Sequence, residues 1–323
     1  MAASVATDIL ISEVGPRDGL QSVRSIMPLD AKKTWVRAEA AAGVREIEVG
    51  SFVPHSLLPQ LADTGELVRY AKTIEGLTVA VLVPNLKGAE AAVKAGVDKI
   101  TLPLSVSETH SLKNVRRTHA QMIAEATAIT NLVKSLPAEQ RPTFEGGLST
   151  VFGCTIEGPI ADTQITRLAE ALMQAGCDEV GLADTSGYAN PAQVKHLVRL
   201  VRGVVGDEAL TGIHLHNTRG LGLANVLAAL EAGLTTLDSS LGGVGGCPFA
   251  PGASGNIVTE DLVFMLQSMG LQTGIDLAAL LEVRFAVAAA LPDEEFYGFV
   301  AEAGLPLGFQ GEQPARSGAH AIA

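Results

Sequence analysis

Short apolar runs recur along the whole chain, and most are followed by a longer stretch in which apolar positions keep helical spacing. The runs at residues 9–14, 46–52, 78–83, 99–104, 143–150, 179–183, 211–215 and 235–239 have the length and residue types of strands. Between them, residues 30–42, 61–73, 89–95, 117–136, 165–174, 192–205 and 223–232 read as helices. Several close on Ala-Gly, at Ala42-Gly43, Ala95-Gly96, Ala175-Gly176 and Ala232-Gly233, which is a helix end followed by a short connection. Eight β-then-α units predict an α/β fold of the (β/α)8 TIM-barrel type, with the chain beyond Ile257 supplying the last helix and extra C-terminal helices. A doubly wound open sheet is the rival, but its Gly-x-Gly-x-x-Gly turn after the first strand is missing. No linker interrupts the pattern. Residues 1–307 are therefore expected to form a single barrel domain, and 308–323 a flexible tail.

Composition narrows the function classes. The chain has 323 residues, 47% hydrophobic and 18% charged, enough for a large core. A formal net charge of -12 argues against a nucleic-acid partner and against attraction to an anionic membrane surface. No apolar run approaches the ~20 residues of a membrane helix. Residues 1–11 lack the basic start of a signal peptide, and three scattered cysteines make no disulfide framework, so a cytoplasmic location is expected.

In such a barrel the chemistry sits at the C-terminal ends of the strands. The first end reads Gly15-Pro16-Arg17-Asp18-Gly19-Leu20-Gln21, which is also good turn chemistry. At the seventh, His214 and His216 are two apart on a strand, so both rings point to one face, and a divalent metal is the simplest partner for such a pair. With Asp18 and Asn256 the donors become two imidazoles and two hard oxygens, which suits Mg, Mn or a similar ion better than a closed zinc site. Glu48 is a carboxylate inside the second strand, and Asp184 ends the sixth, where it could equally cap the next turn. Residues 242–256 hold six glycines and two prolines, so they can be neither helix nor central strand. The stretch reads as a functional loop carrying the thiol of Cys247. Cys154 and Cys177 read as inert small hydrophobes.

The segments Glu13-Val14-Gly15-Pro16-Arg17-Asp18-Gly19-Leu20-Gln21, Ser51-Phe52-Val53, Val83-Pro84-Asn85-Leu86-Lys87-Gly88, His214-x-His216 and Gly243-Val244-Gly245-Gly246-Cys247-Pro248-Phe249-Ala250-x-Gly252-Ala253-Ser254-Gly255-Asn256 resemble the hydroxymethylglutaryl-CoA lyase family. The resemblance runs from about residue 11 to residue 281. It implies a metal-dependent carbon–carbon lyase acting on a 3-hydroxy-3-methylacyl-CoA, with CoA as part of the substrate. It further implies that Asp18, His214, His216 and Asn256 bind a divalent cation and that Arg17 stabilises an enolate. Cys247 would be the acid/base of a mobile loop, with Glu48 as a further site carboxylate; Asp184 is counted among the catalytic candidates on its strand end alone. Gln21, Asn85, Arg116 and Arg117 are candidates for substrate contact, and a homo-oligomer is expected.

The chain departs from that pattern around the barrel mouth. Pro54-His55-Ser56-Leu57 stands where the family usually has Ser-Pro-Lys-Trp, and Glu145-Gly146-Gly147-Leu148-Ser149-Thr150 where it has Arg-Gly-Tyr-Val-Ser-Cys. Asn217 replaces an Asp after the second histidine. These differences fall where an acyl group or CoA arm would bind, so the expected substrate widens to HMG-CoA or a relative such as citramalyl-CoA. The competing readings are a Claisen-condensing synthase or ketoacid aldolase on the same barrel, and a non-catalytic acyl-CoA- or metal-binding barrel.

Overall fold

A computed structural model describes residues 7–245 and 255–312. Eight parallel strands, β1 (Leu10–Glu13), β2 (Glu46–Ser51), β3 (Thr78–Leu82), β4 (Lys99–Ser105), β5 (Thr143–Ser149), β6 (Glu179–Ala183), β7 (Gly212–His214) and β8 (Thr236–Ser239), pair in sequence order and close into a barrel. Closure is made by β8 on β1, with Asp238 opposite Ser12. Every expected strand is present, most of them shorter by a residue or two at the ends, where pairing gives way to the loops.

Outward strand positions carry the apolar residues that meet the helices: Ile47 and Val49 on β2, Val79 and Val81 on β3, Ile100, Leu102 and Leu104 on β4, all buried. Inward positions are mostly polar or small, so the hydrophobic core lies between sheet and helices rather than inside the barrel. The expected glycine caps occur: Gly43 and Gly176 end the helices Leu29–Ala42 and Asp162–Ala175 in the left-handed conformation, φ 111° and 97°. A Cβ at Gly43 would lie 2.1 Å from the Gly274 carbonyl oxygen, so the next segment can pack there only against glycine.

Two helical details depart from expectation. Glu108–Asn114 forms a helix of its own, N-capped by Ser107, before the next helix starts at the Thr118–Gln121 capping box. Asn85 caps Leu86–Ala95 through its side-chain oxygen, which starts that helix three residues before the apolar spacing suggests. Beyond the barrel lie Thr259–Ser268, Leu277–Ala290 and Phe299–Ala303, the expected extra helices. Within the segment expected to be a tail, Phe309 packs on Phe264 and the Glu312 carboxylate accepts from the Thr273 and Gly274 amides. Among the described residues no helix is long and apolar enough to cross a membrane.

Candidate active site

The strand β1 ends in one π-helical turn, Gly15–Gly19, which projects Arg17 and Asp18 over the barrel mouth. Glu13 fixes the start of this turn, because its Oε1 accepts from the Gly15 amide at 2.8 Å. The same oxygen accepts from the Leu241 amide at 2.9 Å, at the head of the segment that follows β8. One buried carboxylate therefore holds the turn that carries Arg17 and Asp18 together with the start of the segment after β8. A side chain at Gly15 would strike that oxygen at 2.6 Å, which explains the glycine.

Arg17 lies between two carboxylates, its Nε donating to Glu48 Oε2 and its Nη1 to Asp18 Oδ1, each at 2.5 Å. The guanidinium stays protonated between them. Burial pushes the Glu48 carboxyl up to about 7, against the lowering pull of Arg17. Burial also works to raise Asp18, but Arg17 and the two neighbouring histidines outweigh it and hold that carboxyl well below the ordinary range.

Asp18, His214 and His216 bring one donor atom each to within 4.8 Å of one another. Asp18 Oδ2 is 3.9 Å from Nε2 of both histidines, and the rings are 5.0 Å apart. On its other side His214 Nδ1 meets Asp238 Oδ2 at 3.1 Å. Burial lowers the His214 pKa, but the bond to Asp238 and the charge of Asp18 raise it overall. Asn256 pairs with His216 across a short backbone bridge, and its Nδ2 donates to Asp18 Oδ2 at 2.8 Å. Its Oδ1 is then buried without a partner. A buried amide oxygen left without a donor costs about 1–3 kcal/mol, so a cation beside two imidazoles and a carboxylate fits this arrangement.

The remaining expected residues divide. Gln21 donates to Asp18 Oδ1 at 2.8 Å and lines the cavity. Asn85, Arg116 and Arg117 lie on the rim of the same cavity, of about 980 Å³, Arg117 also pairing with Glu125 at 3.1 Å. Asp184, expected among the catalytic groups, caps a loop: its two oxygens accept from the Tyr188 and Ala189 amides at 2.8 and 3.1 Å; it does not line the cavity, although it lies near enough for its charge to act on His216 and His214. Cys247 lies outside the described residues. Sequence reasoning missed Asp238, whose signal was an inward carboxylate in the short strand Thr236–Ser239. It also missed the half-buried Lys99 below the site, which meets Glu145 and Glu179 at 2.9 and 2.8 Å.

Residues 8–287 match the HMGL-like family. The chain belongs to that family. Among HMGL-like proteins it is 40% identical over 275 residues to a hydroxymethylglutaryl-CoA lyase of Bacillus subtilis, covering 84% of this chain and 90% of that one. To the mitochondrial hydroxymethylglutaryl-CoA lyase of Arabidopsis thaliana it is 38% identical over 84% of its length, spanning 57% of the relative. Its fold superposes with a TM-score of 0.86 on an HMG-CoA lyase from Acinetobacter baumannii in complex with coenzyme A and 3-methylmalate, at 41% identity, covering 94% of this chain and 98% of that one.

Proposed function

We propose that this chain is a divalent-metal-dependent carbon–carbon lyase that cleaves 3-hydroxy-3-methylglutaryl-CoA, or a close relative such as citramalyl-CoA, to a keto acid and an acyl-CoA. The observation that carries the proposal is the meeting of Arg17 with Asp18, His214 and His216 at the barrel mouth. The lyases among its relatives, and the one that holds coenzyme A with 3-methylmalate, support this reading over a condensing or aldolase reaction.

A cation held by Asp18, His214, His216 and Asn256 would supply Lewis acidity at the substrate's C3 hydroxyl. As that hydroxyl passes its proton to a base of the site, C3 would become a ketone and the C2–C3 electron pair would pass into the thioester as an enolate. Arg17, fixed by Glu48 and Asp18, would carry its hydrogen-bond donors towards the enolate oxygen. Protonation at C2, which this reading leaves to Cys247, completes the acyl-CoA. Arg116 and Arg117 on the rim offer cations for the CoA phosphates.

The test is turnover of HMG-CoA and citramalyl-CoA with products weighed by mass spectrometry. Cleavage is expected to stop on chelation and return with Mg or Mn. Full activity in a metal-free preparation would sink the ligand assignment. Cys247→Ala is expected to abolish turnover while retaining bound metal, and unchanged turnover would remove the thiol from the mechanism.

A further inference from the structure

The inward positions of this barrel leave it open. Interiors of (β/α)8 barrels are ordinarily filled by layers of bulky branched side chains. Below His214, however, the cavity wall includes Ala80, Gly147 and Gly212. A Cβ at Gly147 would meet nothing nearer than Thr101 Cγ2 at 3.2 Å, and one at Gly212 nothing nearer than Thr236 Cβ at 3.4 Å. At Gly212 a Cβ would stand at the edge of ordinary contact, and at Gly147 only the Thr101 methyl would have to give by a few tenths of an ångström, so no large side chain fills the space that these glycines leave. Gly181 is the contrast: a Cβ there would lie 2.3 Å from Glu145 Oε1, so its missing side chain lets Glu145 cross to Lys99.

The cavity thus continues past the cluster of Asp18, His214 and His216 as a shaft that ends on Lys99 with Glu145, Glu179 and, at 3.8 Å, Glu46. Its depth follows from strand geometry. Asp238 bonds His214, and Thr236, two residues down the same strand, lines the shaft; two residues of strand span about 6.6 Å.

Resting on the lyase reading above, we infer that this shaft receives a C3 substituent longer than methyl that ends in a hydroxyl. With the C3 hydroxyl and the carboxymethyl arm taken to the cation site, the thioester at Arg17 and the CoA arm leading to the rim, the shaft is the open direction left for the fourth group on C3. The floor selects its chemistry. Three carboxylates against one ammonium repel a carboxylate-ended branch. A wholly apolar end would strip water from charged groups without replacing its hydrogen bonds. A hydroxyl can donate to Glu145 or Glu179 while accepting from Lys99.

The experiment compares kcat/KM of the metal-loaded full chain on 3-hydroxyglutaryl-CoA thioesters bearing methyl, n-butyl, 4-hydroxybutyl or 3-carboxypropyl at C3. The 4-hydroxybutyl compound is expected to exceed n-butyl, and to exceed 3-carboxypropyl at least tenfold. Gly147→Leu, checked for folding by its melting temperature, is expected to lower the hydroxybutyl-to-methyl ratio of kcat/KM at least tenfold, and Gly147→Ala to lower it less. Cleavage of the methyl compound without that of any longer branch would show that the shaft holds only water and would overturn the inference while leaving the lyase reading intact. An unchanged ratio in both Gly147 variants would overturn it equally. Cleavage of none of the four would overturn the lyase reading and the inference together.

Discussion

At the scale of single residues, the site is a set of charges that need one another. Arg17 is held by carboxylates on two sides, and removing it leaves Glu48 and Asp18 facing each other in a buried place. Arg17→Gln is expected to lower kcat about 10²–10³-fold, the usual loss for one donor to a developing oxyanion. A rise in KM alone, with kcat intact, would place Arg17 outside the chemical step. Asp238 acts one contact further out. Its bond to His214 Nδ1 fixes the ring so that Nε2 faces Asp18. Asp238→Asn is accordingly expected to weaken metal binding about 10–100-fold, read by calorimetric titration of the apo-protein with Mn²⁺. Unchanged affinity would mean that the bond does not orient the ring.

At the scale of elements, the turn after β1 and the segment after β8 are fastened at their roots. Glu13 accepts from Gly15 and Leu241, and its second oxygen accepts from Thr259 Oγ1 at 2.7 Å, so β1, the segment after β8 and the helix Thr259–Ser268 meet on one carboxylate. Burial is the largest influence on it and pushes its pKa up to about 8, against those three hydrogen bonds. The folded value lies above the ordinary 4.5, so the native chain binds the extra proton. Stability linked to Glu13 is then full below about pH 4.5 and is lost as pH rises through 8. Glu13→Gln is expected to flatten the melting temperature between pH 5 and pH 8, and a slope equal to that of the parent would refute this. The same elements show what sequence could and could not convey. Strand order, the glycine caps and the His214-x-His216 face follow from local periodicity, which a single sequence carries. The Asp184 contacts with the Tyr188 and Ala189 amides are the local turn cap that its position allowed, whereas the meeting of Asp238 with His214 depends on how β7 and β8 pair, and such contacts between distant segments leave no local pattern. Lys99 was hidden for a similar reason: its partners come from β2, β5 and β6.

At the scale of the whole molecule, the barrel separates two kinds of interior. The apolar core is a shell between sheet and helices, while the space inside the sheet is polar and ends on the Lys99 network. Strands buried on both faces usually read as continuous hydrophobic runs, and this chain accepts charged inward positions instead. The cost is contained by pairing. Burial is the main force raising Glu46 and Glu145, and Lys99 is the main opposing one. The Lys99 side chain is 14% exposed, so water screens it little. Lys99→Met keeps the packing of the stem but strands the three carboxylates, and removing one partner of a buried pair costs about 3–5 kcal/mol. Since raised carboxyls take up protons as the pH falls, the penalty is expected to be largest at pH 8 and to shrink towards pH 5. Lys99→Met combined with Glu145→Leu removes a stranded charge along with the ammonium and is expected to recover part of the loss. Calorimetric melting of parent, single and double variants at both pH values checks this. A Lys99→Met loss that is absent, or equal at pH 5 and pH 8, would mean that the network is hydrated well enough to need no ammonium, and that the barrel interior is held open by water rather than by charge pairing.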